Sequence, residues 1–192
     1  VWLPLALVCA AAALAFDTRT GRYLPAVGEI AIAFTPGDEA DDLVTGAIAN
    51  ARKQILVQAF SFTHRDIANA LIRAQRRGVE VVVIADPEQA DRIETSVISD
   101  LAAARIPVLM DHEHVSAHNK IMVIDSAQPS CAVVTGSYNF THAAQFKNAE
   151  NLLVLRGNPP VCAAYESNWK RHRAHSITYE RNRTFGTGQP RF

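Results

Sequence analysis

The tripeptide His118-Asn119-Lys120 sets an imidazole and an ammonium two positions apart, ahead of the apolar run Ile121-Met122-Val123-Ile124 and the acid Asp125. On an extended strand, side chains at i and i+2 share a face, so His118 and Lys120 point together while Asn119 points away. A neutral imidazole can attack phosphorus, and an ammonium beside it can hold the non-bridging oxygens and offset the charge that grows on them. Further along stand Gly136-Ser137-Tyr138-Asn139 and Lys147-Asn148-Ala149-Glu150-Asn151. Gly136 permits close approach of backbone to phosphate, while Ser137 and Asn139 offer hydroxyl and amide donors. Glu150 can accept the far N–H of a histidine and fix its tautomer. Together these residue types describe a site for attack on a phosphate ester.

Such a site needs a scaffold, and the chain supplies an alternation of short β-rich runs and longer helical stretches. The pattern predicts strands over Glu29–Phe34, Gln54–Phe60, Val79–Ala85 and Ile106–Met110, with helices from Asp38 to about Arg52, His64–Arg77 and Asp91–Ala104 between them. The turn Thr35-Pro36-Gly37-Asp38 doubles as the cap of the first helix, whose Asp41 and Asp42 oppose its dipole. Lys120–Ile124 and Cys131–Thr135 read as a hairpin, followed by a strand over Asn151–Leu155 and a helix opened by Pro159-Pro160 and running to about His175. This succession argues an α/β fold: a mixed, mostly parallel sheet flanked by helices on both faces.

The chain has 192 residues, 48% hydrophobic and 20% charged, which suits one cored domain and excludes a disordered or fibrous class. Lys+Arg and Asp+Glu are both 19, so any electrostatic message is regional. The basic region is 168–192, where Lys170, Arg171, Arg173, Arg181, Arg183 and Arg191 face the single acid Glu180. It reads equally as a solvated helix face with a tail or as a phosphate-backbone contact surface. Residues 1–15 are uncharged and end in small residues, which predicts a cleaved signal peptide and a periplasmic or secreted protein of a bacterium. The mature chain then divides into a catalytic domain at 28–175 and a basic C-terminal tail at 176–192. Three cysteines are too few for a disulfide scaffold. Cys131 and Cys162 fall at one end of the sheet if their strands pair, which leaves a bridge and two buried thiols as alternatives.

The motif His118-x-Lys120, Asp125, Gly136-Ser137-x-Asn139 resembles that of the phospholipase D superfamily, in particular the small bacterial endonuclease branch in which a chain carries one copy. The similarity in order and spacing runs from about Gly28 to about His175 and includes Gln58-Ala59-Phe60-Ser61-Phe62-Thr63 and Arg76-Arg77-Gly78-Val79. The resemblance implies a phospholipase D-like fold and a phosphodiesterase acting through a covalent phosphohistidine, with no metal and no cofactor. It implies His118 as nucleophile, Lys120, Ser137 and Asn139 around the phosphate, and Glu150 orienting the histidine. Asp125 and Gly136 complete the motif in structural roles. Ten residues, Ser126 to Thr135, separate Asp125 from Gly136, more than the family's usual spacing. A longer hairpin tip accommodates them at little cost.

Phosphodiester hydrolysis asks for upwards of ~20 kcal/mol, and one general acid or base contributes about 3 to 5. A second proton donor must serve the leaving oxygen, yet none of His64, His112, His114, His142, His172 and His175 is followed two residues on by lysine. An isologous homodimer with a composite site follows, each His118 acting in turn as nucleophile and acid. Metal chelation by Asp111-His112-Glu113-His114 with His118 is the rival chemistry, set aside because His118 is already assigned. The expected substrate is nucleic acid, cut by an endonuclease of low sequence specificity, with Phe60, Phe62, Tyr138 and Phe140 as core residues or base-stacking surfaces. A phospholipase D cleaving phospholipid headgroups is the alternative.

Overall fold

The computed structural model describes residues 21–180. The signal peptide expected at 1–15 and the part of the basic tail beyond residue 180 lie outside the described residues. In chain order the elements are β1 (Glu29–Thr35), α1 (Ala40–Asn50), β2 (Gln54–Ala59), α2 (Arg65–Arg76), β3 (Glu80–Ala85), α3 (Pro87–Arg92), α4 (Ile98–Ala103) and β4 (Val108–Met110). Then come β5 (Lys120–Ile124), β6 (Ala132–Gly136), α5 (His142–Phe146), β7 (Glu150–Arg156), α6 (Pro159–His175) and β8 (Ile177–Thr178).

One eight-stranded sheet runs in the order β1-β7-β6-β5-β2-β3-β4-β8. It is mixed and covered by helices on both faces, as the sequence predicts. The strands β1, β2, β3, β4 and β6 share one direction, but neighbours are parallel only at β2–β3 and β3–β4. The other five pairings are antiparallel, so the parallel share of the ladder is smaller than expected. The reason is connectivity: parallel neighbours need a crossover such as α2 or α3–α4, whereas the β5–β6 hairpin turns straight back.

Alternation along the central strands sorts the core onto two faces. Val57, Val83, Met122 and Val134 pack with Ile48 of α1, Ile67 and Leu71 of α2 and Leu101 of α4. Leu56, Val82, Ile84, Ile121 and Val123 face the other way, onto Trp169 of α6. Trp169 also donates its indole N–H to the Val57 carbonyl at 3.0 Å, which satisfies the one polar atom that its burial would orphan. α6 is tied to the sheet covalently as well: Cys131, just ahead of β6, and Cys162 of α6 form a disulfide, which decides between the alternatives left open by the sequence.

Three local expectations change. The helix expected over 91–104 is two pieces, α3 and α4, because the Val97 amide is drawn to the Phe62 carbonyl at 3.0 Å and the chain turns there. Asp38 does not cap α1; its carboxylate accepts the Phe34 amide at 2.8 Å and closes the preceding turn. β8, paired with β4, was not foreseen, since two residues carry no periodicity.

Asp125 ends β5 with φ of 50°, and its buried carboxylate accepts the backbone N–H groups of Arg52 (2.7 Å), Lys53 (2.7 Å) and Gln54 (2.9 Å). One side chain thus fixes the end of β5 against the start of β2. Hydrogen bonds to a charged group contribute about 1.5–3 kcal/mol each and are not additive, so Asp125→Ala should lower unfolding stability by roughly 3 kcal/mol or more. Urea denaturation of the two proteins measures it, and a loss below 1 kcal/mol would show that the three amides find water instead.

Candidate active site

The motif residues meet at one end of four adjacent strands. β2 ends at Ala59, paired with Lys120 at the start of β5. Continuing the β5–β6 register from Met122↔Val134 brings Gly136 opposite Lys120, and Gly136 in turn pairs with Leu152 near the start of β7. The longer hairpin therefore leaves the pairing at the site intact.

Lys120 is buried and His118 exposed, and the two are in contact. The ammonium donates to His118 Nδ1 at 3.0 Å and to the His118 carbonyl at 2.9 Å. Phe60 lies under both: its ring centroid is 4.3 Å from that of His118, and Lys120 Nζ is 4.9 Å above it. Burial pushes the Lys120 ammonium below its usual pKa, and the charge of Glu150 pulls in the opposite direction. The site thus holds a cation poorly supplied with water, next to an imidazole open to solvent.

The backbone around His118 is fixed from both sides. The Phe60 amide donates to the Asn119 carbonyl at 2.8 Å, extending the β2–β5 ladder. Asp86, buried at the end of β3, accepts the Ala117 amide at 2.9 Å and the Gln89 amide at 3.0 Å, so one carboxylate caps α3 and secures the residue before His118. Sequence reasoning passed over Asp86. Its sign was the pair Asp86-Pro87 after a buried strand, a helix-start pattern, but the reach to Ala117 is tertiary.

Gly136 has φ of 146°, and a Cβ there would overlap the Asn151 carbonyl. Its requirement comes from the neighbouring strand. Ser137 Oγ accepts from the Asn151 amide at 3.0 Å and from Asn151 Nδ2 at 3.2 Å, which aims the hydroxyl proton elsewhere. Asn139 is half-buried, and its Oδ1 is enclosed without a hydrogen-bond partner. The Glu150 carboxylate accepts from Asn148 Nδ2 at 3.1 Å, and among the described residues no hydrogen bond joins it to His118, whose Nδ1 is taken by Lys120. Of the four aromatics, Phe62, Tyr138 and Phe140 are core, which leaves Phe60 at the site.

The family model described as "Cardiolipin synthase, PLD-like domain" matches residues 44–173. The chain is 33% identical over 146 residues to a phospholipase D of Rickettsia conorii, covering 76% of this chain and 70% of that protein. It is 29% identical over 119 residues to a mitochondrial cardiolipin hydrolase of Chlamydomonas reinhardtii, covering 62% of this chain and 51% of that one. Among solved structures it superposes with a TM-score of 0.74 on a phospholipase D family member, Nuc from Salmonella typhimurium, at 30% identity over 80% of this chain and 99% of that one.

Because Glu150 holds the Lys120 pKa up, Glu150→Gln should move the alkaline limb of kcat/KM on a phosphodiester to lower pH; an unmoved limb would show that the two groups do not interact. The lowered folded-state pKa means that the unfolded chain binds more protons, so stability rises with pH between the folded value and 10.5. Lys120→Met should therefore raise the melting temperature at neutral pH, with the gain shrinking toward pH 10.5, even as activity disappears.

Proposed function

Because this chain belongs to the phospholipase D superfamily of phosphodiester hydrolases, we propose that it cleaves phosphodiesters without a metal, through a phosphohistidine on His118. The observation that carries this reading is the contact between Lys120 Nζ and His118 Nδ1 at 3.0 Å on the open end of the sheet. In the free protein the ammonium occupies the imidazole. A phosphodiester oxygen competes for that ammonium, and as Lys120 turns to it, Nδ1 is released to carry the ring proton while Nε2 presents its lone pair to phosphorus. Glu150, already acting on Lys120, is the carboxylate at hand to accept that Nδ1–H. Ser137 and Asn139 supply further donors to the non-bridging oxygens as charge develops on them.

Formation of the P–N bond breaks the bond to the leaving oxygen, which must gain a proton. Among the described residues the ring neighbours of His118 are Phe60 and Lys120, and neither is a second imidazole. A homodimer supplies one: His118 of the second copy gives its proton to the leaving oxygen, then takes one from the water that cleaves the phosphohistidine. Each cycle returns both rings to their starting state.

Nucleic acid is the favoured substrate. The rim beside β7 carries exposed Phe146, ring to ring with His142 at 4.5 Å, next to exposed Lys147; an aromatic and a cation side by side suit a single strand of bases and phosphates. The basic region adds to this, although Lys170 is paired with Glu166 at 2.8 Å. Phospholipid headgroups are the second reading, supported by relatives called phospholipase D and cardiolipin hydrolase. The Cys131–Cys162 disulfide supports a periplasmic or secreted setting.

Assays on single-stranded DNA, duplex DNA, RNA and phosphatidylcholine should show cleavage of nucleic acid that survives EDTA and falls by roughly 10³-fold or more in His118→Ala. Activity on phosphatidylcholine alone would transfer the proposal to lipid. When wild-type chains are mixed and re-equilibrated with His118→Ala chains, activity should fall as the square of the wild-type fraction. A linear fall would overturn the composite site.

A further inference from the structure

Away from His118, the carboxyl end of β4 holds a second constellation. Asp111 is fully buried, and three imidazoles face its carboxylate. His172 Nδ1 is 2.7 Å and His114 Nδ1 3.0 Å from Oδ2, and His175 Nε2 is 3.2 Å from Oδ1. One ligand atom from each of the four residues lies within 4.8 Å of every other. His114 belongs to the loop that runs on to His118, while His172 and His175 sit three apart on one face of the last turn of α6. His175 turns its remaining nitrogen, Nδ1, toward Glu113 at 3.2 Å.

We propose that Asp111, His114, His172 and His175 form a four-ligand site for a divalent transition-metal ion, zinc by donor set, with Glu113 orienting His175. Three imidazole nitrogens and one carboxylate oxygen suit zinc and its neighbours, whereas calcium and magnesium take oxygen ligands. Zinc–nitrogen bonds of about 2.0–2.1 Å imply tetrahedron edges of roughly 3.4 Å, to be compared with ligand atoms that lie within 4.8 Å of one another before any ion is bound. Ligand histidines commonly donate their second N–H to a carboxylate, and Glu113 stands where His175 needs one.

The arrangement is awkward without an ion. Satisfying the carboxylate by hydrogen bonds requires a proton on each of the three facing nitrogens, and the His114 and His172 rings are stacked with centroids 4.8 Å apart. One dication would satisfy the carboxylate and the three facing nitrogens together.

The site is separate from the phosphodiester chemistry. β4 lies three strand spacings from β5 in the sheet, or about 14 Å. With four protein ligands it has no open position for substrate, so the ion is structural: it ties the loop after β4 to the end of α6, while Asp86 secures the same loop at Ala117. The sequence alone groups Asp111, His112, Glu113 and His114 with His118; the fold instead brings His172 and His175 to Asp111.

The full chain, stripped with chelator and dialysed, should take up one Co²⁺ with the intense visible bands of a tetrahedral site, and one Zn²⁺ should displace it and raise the melting temperature by several degrees. His172→Ala and His175→Ala should weaken binding by 100-fold or more, and Glu113→Gln by roughly 10–100-fold. His118→Ala should bind as the wild type does. Glu113 is largely exposed, so its variant keeps the test alive should the histidine variants misfold on circular dichroism. Failure to take up one equivalent, uptake indifferent to His172, His175 and Glu113, or loss of binding in His118→Ala would each overturn the proposal.

Discussion

A buried ammonium is the constraint around which this end of the molecule is arranged. Lys120 begins β5 inside the sheet, where water cannot solvate it fully, and its replacements are the His118 carbonyl and ring nitrogen, the face of Phe60 and the field of Glu150. Each comes from a different strand or strand extension, so the β2–β5–β6–β7 register must be right before the cation is tolerable at all. Asp125 fixes that register at the far end of β5, and Gly136 lets β7 come close enough beside it. A cation whose charge is poorly screened is also one that a phosphate can draw away from its resting partners.

Much of this could be read in the sequence because it is local. The i, i+2 rule alone predicts that His118 and Lys120 share a face, and Lys120–Ile124 and Pro159–His175 run between the expected residues. The spacing of Asp125 from Lys120 predicts a place on the opposite face of the strand, and its carboxylate accepts three backbone amides. The failures are of one kind. The break between α3 and α4 and the anchoring of Ala117 by Asp86 both depend on groups that only the folded chain brings together. The meeting of Asp111 with His172 and His175 is the extreme case, since β4 and α6 are far apart in sequence and no periodicity links them.

The loop between β4 and β5 gathers several of these features. It leaves the sheet at Asp111, passes the exposed Val115, is caught by Asp86 at Ala117 and delivers His118. Loops position reactive groups well only when both ends are held. Here one end is held by a helix-capping carboxylate and the other by a knot of imidazoles, so His118 is carried on a short tethered span.

The Cys131–Cys162 bridge gives the molecule a mechanical asymmetry. A pull on the C-terminal helix is transmitted through sulfur to the head of β6, whose other end delivers Ser137 and Asn139. That helix cannot peel away and leave the strand behind. The first turn of that helix is thus covalently linked to the strand that leads to Ser137 and Asn139, whereas the edge strand β1 is held by its ladder, by the Thr35 hydroxyl on α5 and by packing of Ala33, with no disulfide among the described residues.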